Sequence, residues 1–354
     1  MIPMTLDVAS KRGKRIVLYG AMHTGKTKIA IGFSEALEYS KYNVLACTNN
    51  INKRDGPTQI VSNGTLAFPA HCIDVNNPEE ILYLIDEKYK SGEPIDVVVI
   101  SEANFYDHRL VQVVKKITDI NSEHPVLAII EGIHLTFRND IFGPMGKLIE
   151  ISDEAYRSQG YCTAHKDGER CSDADARYNA RVLKIDETGF DPLFDELAVF
   201  YKKNKDGKTE LVKGFKFAPY FDETLRTEPK KDEDANFGYV NVCKKCMKLP
   251  GKDLCADLMD FIQKENGAAN KKLISNYFNN HSASKYIGSA LEFLVNEHRA
   301  VFDNGKISPT MYIQDPGSEM FIPRPGQNYP KVDYENKLKE VYSFSENGFI
   351  EIAI

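Results

Sequence analysis

No run of about 18 apolar residues occurs anywhere in this sequence, so nothing in it reads as a membrane-spanning helix. Charge of one sign is lacking too: 45 Lys and Arg stand against 51 Asp and Glu, a net −6. A chain so balanced has no general attraction for nucleic acid or an anionic membrane. The first 15 residues contain no long apolar core of a secretory signal, and the basic run Lys11 to Arg15 leads straight into an apolar segment. Cysteine is scarce, with seven in 354 residues, an odd number that argues against a disulfide framework. The expectation is a reducing, cytoplasmic setting. No internal repeat is apparent. What remains is 42% hydrophobic and 27% charged, long enough for two or three domains with real cores.

Residues 15–150 alternate short β-branched runs with amphipathic segments of helical length. Ile16–Tyr19, Val44–Cys47, Val97–Ile100 and Val126–Ile130 read as buried strands, and Lys26–Tyr39, Pro78–Lys90 and Asp107–Ile120 as helices. That alternation predicts an α/β fold, a parallel sheet with helices on both faces. Residues 151–250 differ, with four cysteines and many charges; "KKNKDGKTELVKG" reads as a solvated hairpin and "TEPKKDEDAN" as a mobile loop. Beyond them, Asp253–Gln263, Asn270–Asn279 and Ala283–Glu297 read as three helices, followed by a hairpin turning at Asn304-Gly305. Three helices and a hairpin outline a winged helix, and the Pro- and Gly-rich tail after Pro316 reads as extended. Three units are expected: 1–150, 151–250 and 251–354.

The densest chemistry lies at Gly20-Ala21-Met22-His23-Thr24-Gly25-Lys26-Thr27, between the first strand and the first helix. Such a loop aims backbone N–H groups and a helix N-terminus at a triphosphate. Lys26 neutralises β/γ oxygens, and Thr27 offers its hydroxyl to Mg²⁺. The strand Val97–Ile100 ends in Ser101-Glu102. Phosphate-binding α/β proteins often end this strand in an acid that helps hold the metal; here Ser101 stands in that place and the carboxylate comes one residue later. By position, Glu102 suits a general base for an acceptor hydroxyl, an activator of water, a metal contact or a helix cap.

Taken in order, "GAMHTGKT", "NKRDG…VSNG", "VVVISEANFY", "EGIHLTFRNDIFG" and "YVNVCKKC" resemble the stations of the cellular-type thymidine kinases, over about residues 15–247. The resemblance implies a P-loop (RecA-like) domain followed by a small zinc-binding lasso domain. It implies transfer of the ATP γ-phosphoryl group to the 5′-hydroxyl of thymidine, with Mg²⁺ and with Glu102 as general base. Arg54 would contact phosphate. Phe105 and Phe137 would flank the thymine, the backbone around Thr136 would border the pocket, and Tyr239 would close over the nucleoside. Cys243-x2-Cys246 forms a metal-binding knuckle. Either Cys162 and Cys171 complete a structural zinc site with it, or His165 replaces one of them; both sets suit tetrahedral zinc. Family members are tetramers, so a homo-oligomer is expected.

The chain departs from the family pattern in three places. Ser101 replaces an Asp. Asn104, Tyr106 and His134-Leu135 replace a Gln, a Phe and an Asp-Gly around the nucleoside pocket. Several tens of extra residues separate the segment Tyr178-Asn179-Ala180-Arg181 from Tyr239. The carboxy-terminal region has no counterpart in the family pattern. Its Lys252–Ile313 segment balances basic against acidic residues, which suits a protein partner at least as well as a nucleic acid. The rival readings are a nucleotide-binding scaffold that has lost catalysis and an ATPase coupled to nucleic acid through the last module.

Overall fold

A computed structural model describes residues 12–51, 56, 58–62, 66–166, 168–173, 175–185, 189–203, 208–222, 236–265, 269–281, 283–297, 299–303 and 306–309, with three-residue strands at 312–314, 321–323, 342–344 and 350–352. The expected loop "TEPKKDEDAN", apart from its last residue, the turn at Asn304-Gly305 and most of the tail after Pro316 lie outside these residues. No helix among the described residues is long and apolar enough to cross a membrane.

A six-stranded sheet organises the first part of the chain. It comprises β1 (Arg15–Gly20), β2 (Val44–Asn49), β5 (His71–Ile73), β6 (Val97–Ile100), β7 (Leu127–Ile133) and β8 (Glu154–Ser158), in the order β5-β2-β6-β7-β1-β8. Every pairing in it is parallel. Parallel strands are covered on both faces, so they are written as unbroken apolar runs such as VVVI, whose four residues are all buried. Alternate side chains then serve opposite faces. Val98, Ile100, Ala128 and Ile130 pack against α2 (Glu80–Lys90), α3 (Leu110–Ile117) and α4 (Met145–Glu150). Val97, Val99, Leu127 and Ile129 pack against α1 (Lys26–Tyr39) and the hairpin of β3 (Gln59–Ser62) with β4 (Leu66–Pro69). Each fully buried Val, Leu or Ile contributes roughly 1.5–3 kcal/mol.

The second part is built on an antiparallel sheet. Strands β11 (Tyr178–Lys184) and β14 (Phe237–Val242) pair directly. The extra residues between them supply β12 (Leu197–Lys203) and β13 (Thr209–Phe217), giving the order β12-β13-β11-β14. The charged stretch thus lies in a hairpin, as its turn chemistry predicts; its turn, 204–207, lies outside the described residues. Short strands β9 (His165–Lys166) and β10 (Glu169–Arg170) form a ribbon beside this sheet.

The third part packs α5 (Lys252–Lys264), α6 (Lys271–Tyr277) and α7 (Ile287–Asn296) around one core with the antiparallel pair β15 (Ala300–Asp303) and β16 (Lys306–Pro309). The side chain of Asn270 caps α6 by accepting from the Leu273 N–H at 3.0 Å, and an isolated bridge joins Asn270 to Lys306. This core also takes in Phe194, Tyr220 and Phe221 from the segment before residue 251.

Candidate active site

The phosphate loop leaves β1 at Gly20, where a Cβ would stand 2.6 Å from the Ser158 carbonyl oxygen on the neighbouring strand; only glycine fits. Gly25 then takes a left-handed conformation at the N-cap of α1, and no side chain caps that helix. Its first-turn N–H groups are therefore left to a ligand. The Ala21 carbonyl oxygen accepts from the Thr24 hydroxyl at 2.9 Å and from Lys26 Nζ at 2.7 Å. Burial holds the Lys26 ammonium below its ordinary range, against the pull of Glu131 and Glu102.

Glu102 sits at the carboxyl end of β6 with a left-handed backbone, φ 50°. A non-glycine residue in that region is strained, and such strain concentrates at functional sites. A second acid, absent from the sequence reading, organises this corner. Glu131, in the middle of β7, is completely buried. Its Oε1 accepts from the Ser101 hydroxyl at 2.6 Å, from the Glu102 N–H at 3.2 Å and from the Thr27 hydroxyl at 3.3 Å. Its Oε2 is buried with no hydrogen-bond partner among the described residues. An orphaned carboxylate oxygen beside the loop threonine is hard-oxygen chemistry of the kind Mg²⁺ accepts, so the site fits that ion. One signal in the sequence marks Glu131: it is the lone ionisable residue of LAIIEGI, a strand buried along its whole length.

The residues expected on the nucleoside side have the following partners. Phe105 makes an edge-to-face contact with Phe142, ring centroids 5.4 Å apart, and Phe142 went unnoticed in the sequence. Phe137 is 3% exposed and lies under the Arg181 guanidinium at 4.0 Å and the Arg138 guanidinium at 4.8 Å. Arg181 also donates to the Tyr239 hydroxyl, at 2.7 Å through Nη2, and pairs with Asp222 at 3.0 Å. Phe137 and Tyr239 thus meet through one guanidinium. Thr136 spends both backbone groups on its own turn, donating to Asp140 and accepting from Asn139. Asn104 accepts the Ile133 N–H at 2.9 Å, and Tyr106 is a core residue whose hydroxyl donates to the Thr48 carbonyl oxygen. Gly143 approaches this segment so closely that a Cβ would lie 2.3 Å from the Asn104 carbonyl oxygen. Arg54 lies outside the described residues.

The antiparallel ribbon reaches the phosphate loop directly. Asn179 and Asn241 are register partners on β11 and β14. Asn179 accepts the Met22 N–H at 2.6 Å, and Asn241 donates to the Met22 carbonyl oxygen at 2.5 Å. Two positions along on the same face stand Arg181 and Tyr239, again opposite one another. Farther along the sheet, Cys162, Cys171, Cys243 and Cys246 bring their sulfur atoms within 4.8 Å of one another. His165 turns aside, with Nδ1 3.1 Å from the Tyr201 hydroxyl. Of the two ligand sets open at the sequence level, the four cysteines are the ones that converge. Burial pushes the Cys162 thiol up to about 11, whereas the backbone N–H of Asp173 lowers Cys171. Four sulfurs at this spacing fit zinc.

A parallel sheet carrying a phosphate loop, an acid at the end of β6 and an antiparallel ribbon beside four converging cysteines defines a nucleotide-binding α/β protein. The family model described as thymidine kinase matches residues 13–188. The thymidine kinase of Bacteroides thetaiotaomicron is 27% identical over 186 residues, covering 52% of this chain and 87% of the relative. Thymidine kinases from two strains of Porphyromonas gingivalis are 30% identical over 152 residues, covering 43% of this chain and 68% of the relative. The chain belongs to the thymidine kinase family.

Proposed function

We propose that this protein transfers the γ-phosphoryl group of ATP to the 5′-hydroxyl of thymidine, as a salvage enzyme of the cytoplasm. The observation that carries this reading is the convergence, at the carboxyl edge of β1 and β6, of an uncapped phosphate loop and the strained Glu102. Family membership supplies the substrate class. Loop N–H groups bind the phosphates, and Lys26 leaves the Ala21 carbonyl to neutralise the transferring group. Glu102 takes the proton of the 5′-hydroxyl as the oxygen attacks phosphorus in line. Phe105 and Phe142 contact the base, while Phe137, Arg181 and Tyr239 back the pocket and exclude water. The backbone around Thr136 borders it, and Arg54 contacts phosphate as in the family pattern. Mg²⁺, when bound with ATP and held at Thr27, supplies charge neutralisation on the phosphate oxygens. Zinc on the four cysteines is structural.

The organisation that goes with this reading is a P-loop domain (1–150), a lasso domain enlarged by the β12–β13 hairpin (151–250) and a winged-helix-like module for a protein or nucleic-acid partner (251–354). A homotetramer is expected by analogy with the family. The test is incubation with ATP, Mg²⁺ and each nucleoside in turn. Thymidine monophosphate is the expected product. Hydrolysis of ATP that ignores every nucleoside would overturn the kinase reading in favour of an ATPase. Glu102→Gln is expected to lower kcat by at least 10²-fold while ATP binding persists; a variant with near-normal kcat would remove Glu102 from the base role.

A further inference from the structure

We propose that Glu131 on β7 is the carboxylate that holds the hydrated Mg²⁺ of the nucleotide in this chain, a task for which the strand-end position 101 on β6 carries no acid. This rests on the ATP-binding reading above.

Ser101 alone looks like a loss. With Glu131 on the page, it is one half of an exchange between neighbouring strands. Residues 100 and 130 are register partners on β6 and β7, so positions 101 and 131 lie side by side where both strands approach the phosphate loop. The Ser101 hydroxyl donates to Glu131 Oε1 at 2.6 Å. An Asp at 101 would set a second carboxylate against the first, and two carboxylates sharing a site cannot both ionise cheaply. Serine at 101 gives Glu131 a hydroxyl donor where an Asp would set a rival carboxylate.

A carboxylate wholly out of water must be compensated, or its burial costs several kcal/mol. Oε1 is compensated by three donors: the hydroxyls of Ser101 and Thr27 and the N–H of Glu102. Oε2 receives none among the described residues, although it is equally buried. One of the Oε1 donors is the hydroxyl that the loop offers to the metal. Glu131 thus touches the loop threonine through one oxygen and keeps the other unmet, beside the hydroxyl to which family chemistry brings a divalent cation and its waters. Glu131 is completely buried in the strand, whereas Glu102 is partly exposed at the strand end and keeps the base role.

Calorimetric titration of ADP, once in EDTA and once in saturating Mg²⁺, separates this role from structural support. The affinity without metal reports the loop, and the gain on adding Mg²⁺ reports the metal site. Glu131→Gln keeps an acceptor oxygen for Ser101 and Glu102 but loses the charge. It is expected to leave the EDTA affinity within about threefold and to cut the Mg²⁺ gain by tenfold or more, the usual scale for carboxylates that support a metal. The double variant Ser101→Asp/Glu131→Ala returns the acid to β6 and is expected to recover most of the gain. An unchanged Mg²⁺ gain in Glu131→Gln, or no recovery in a folded double variant, overturns the proposal. Should Glu131→Gln fail to fold, Glu131→Asp takes its place, with a several-fold drop expected from its shorter reach and no drop overturning the proposal. Wild-type protein that binds no ADP under either condition would instead overturn the nucleotide-binding reading itself, and this inference with it.

Discussion

His134 stands next to the phosphate loop, its ring edge-on to Tyr19 at 5.1 Å. Burial drives its imidazole down to about 4 from an ordinary 6.5, with Lys26 and nearby arginines adding to the effect. The ring is therefore neutral at physiological pH. As pH falls, the unfolded chain takes up this proton near 6.5 and the folded chain only near 4. Stability tied to the neutral ring is complete above 6.5 and drains away on descending to 4. His134→Asn is expected to flatten the fall of the urea midpoint across that window; an unaltered slope would show that other groups cause it. Single residues were legible in the sequence where local geometry dictates their chemistry, as with the loop glycines, Lys26 and the Cys243-x2-Cys246 knuckle. Glu131 and Phe142 were not, because each acquires meaning only from a partner on another element, Ser101 in one case and Phe105 in the other.

Among the elements, the four strands and three helices read in residues 15–150 follow closely from periodicity, since both faces of the sheet are buried; the short β3, β4, β5 and α4 are too brief to show a period and go unread in the sequence. Helix α1 has the very span that its apolar spacing predicts, Lys26–Tyr39, and β6 likewise. The ribbon of β11 and β14 is another matter. Its four inward residues, Asn179, Arg181, Tyr239 and Asn241, are polar or amphipathic and carry no hydrophobic period. Their task is to hold two loops of the first sheet, Met22 at one end and Phe137 at the other. The cysteine cluster pins this ribbon, because Cys243 follows β14 directly and its N–H donates to Cys162 Sγ at 3.3 Å. Chelating zinc away from the four cysteines, or substituting Cys246→Ser, is therefore expected to weaken ATP binding by about tenfold, through the ribbon rather than by direct contact. The check is calorimetry on protein whose zinc content has been measured; full ATP affinity in zinc-free protein would uncouple the two.

At the scale of the whole molecule, Arg138 joins three stretches of chain that the sequence presents as separate units. From the turn after β7 it donates to the Tyr220 carbonyl oxygen at 2.6 Å and to the Asp222 carbonyl oxygen, and it pairs with Glu297 just after α7 at 3.5 Å. Its guanidinium also lies 4.5 Å over the Phe293 ring. The module after residue 251 is thus fastened to the turn that follows β7. Composition could not show this, since a balanced charge says nothing about which arginines are buried. Arg138→Met leaves those acceptors unmet and is expected to cost about 3–5 kcal/mol by urea denaturation, with a raised KM for thymidine in the folded fraction. A loss below 1 kcal/mol would mean that the module is held by other contacts. The asparagine clamp on the phosphate loop has a consequence in time as well as in space. Asn241 follows Met22 by 219 residues, so during synthesis the loop leaves the ribosome long before the strand that holds it exists. Domains fold in the order in which they emerge, and on that schedule the loop at first lacks the Asn241 half of its clamp. A nascent chain halted before Asn241 is expected to carry the parallel sheet without this clamp, so that full nucleotide binding begins only once β14 has been translated.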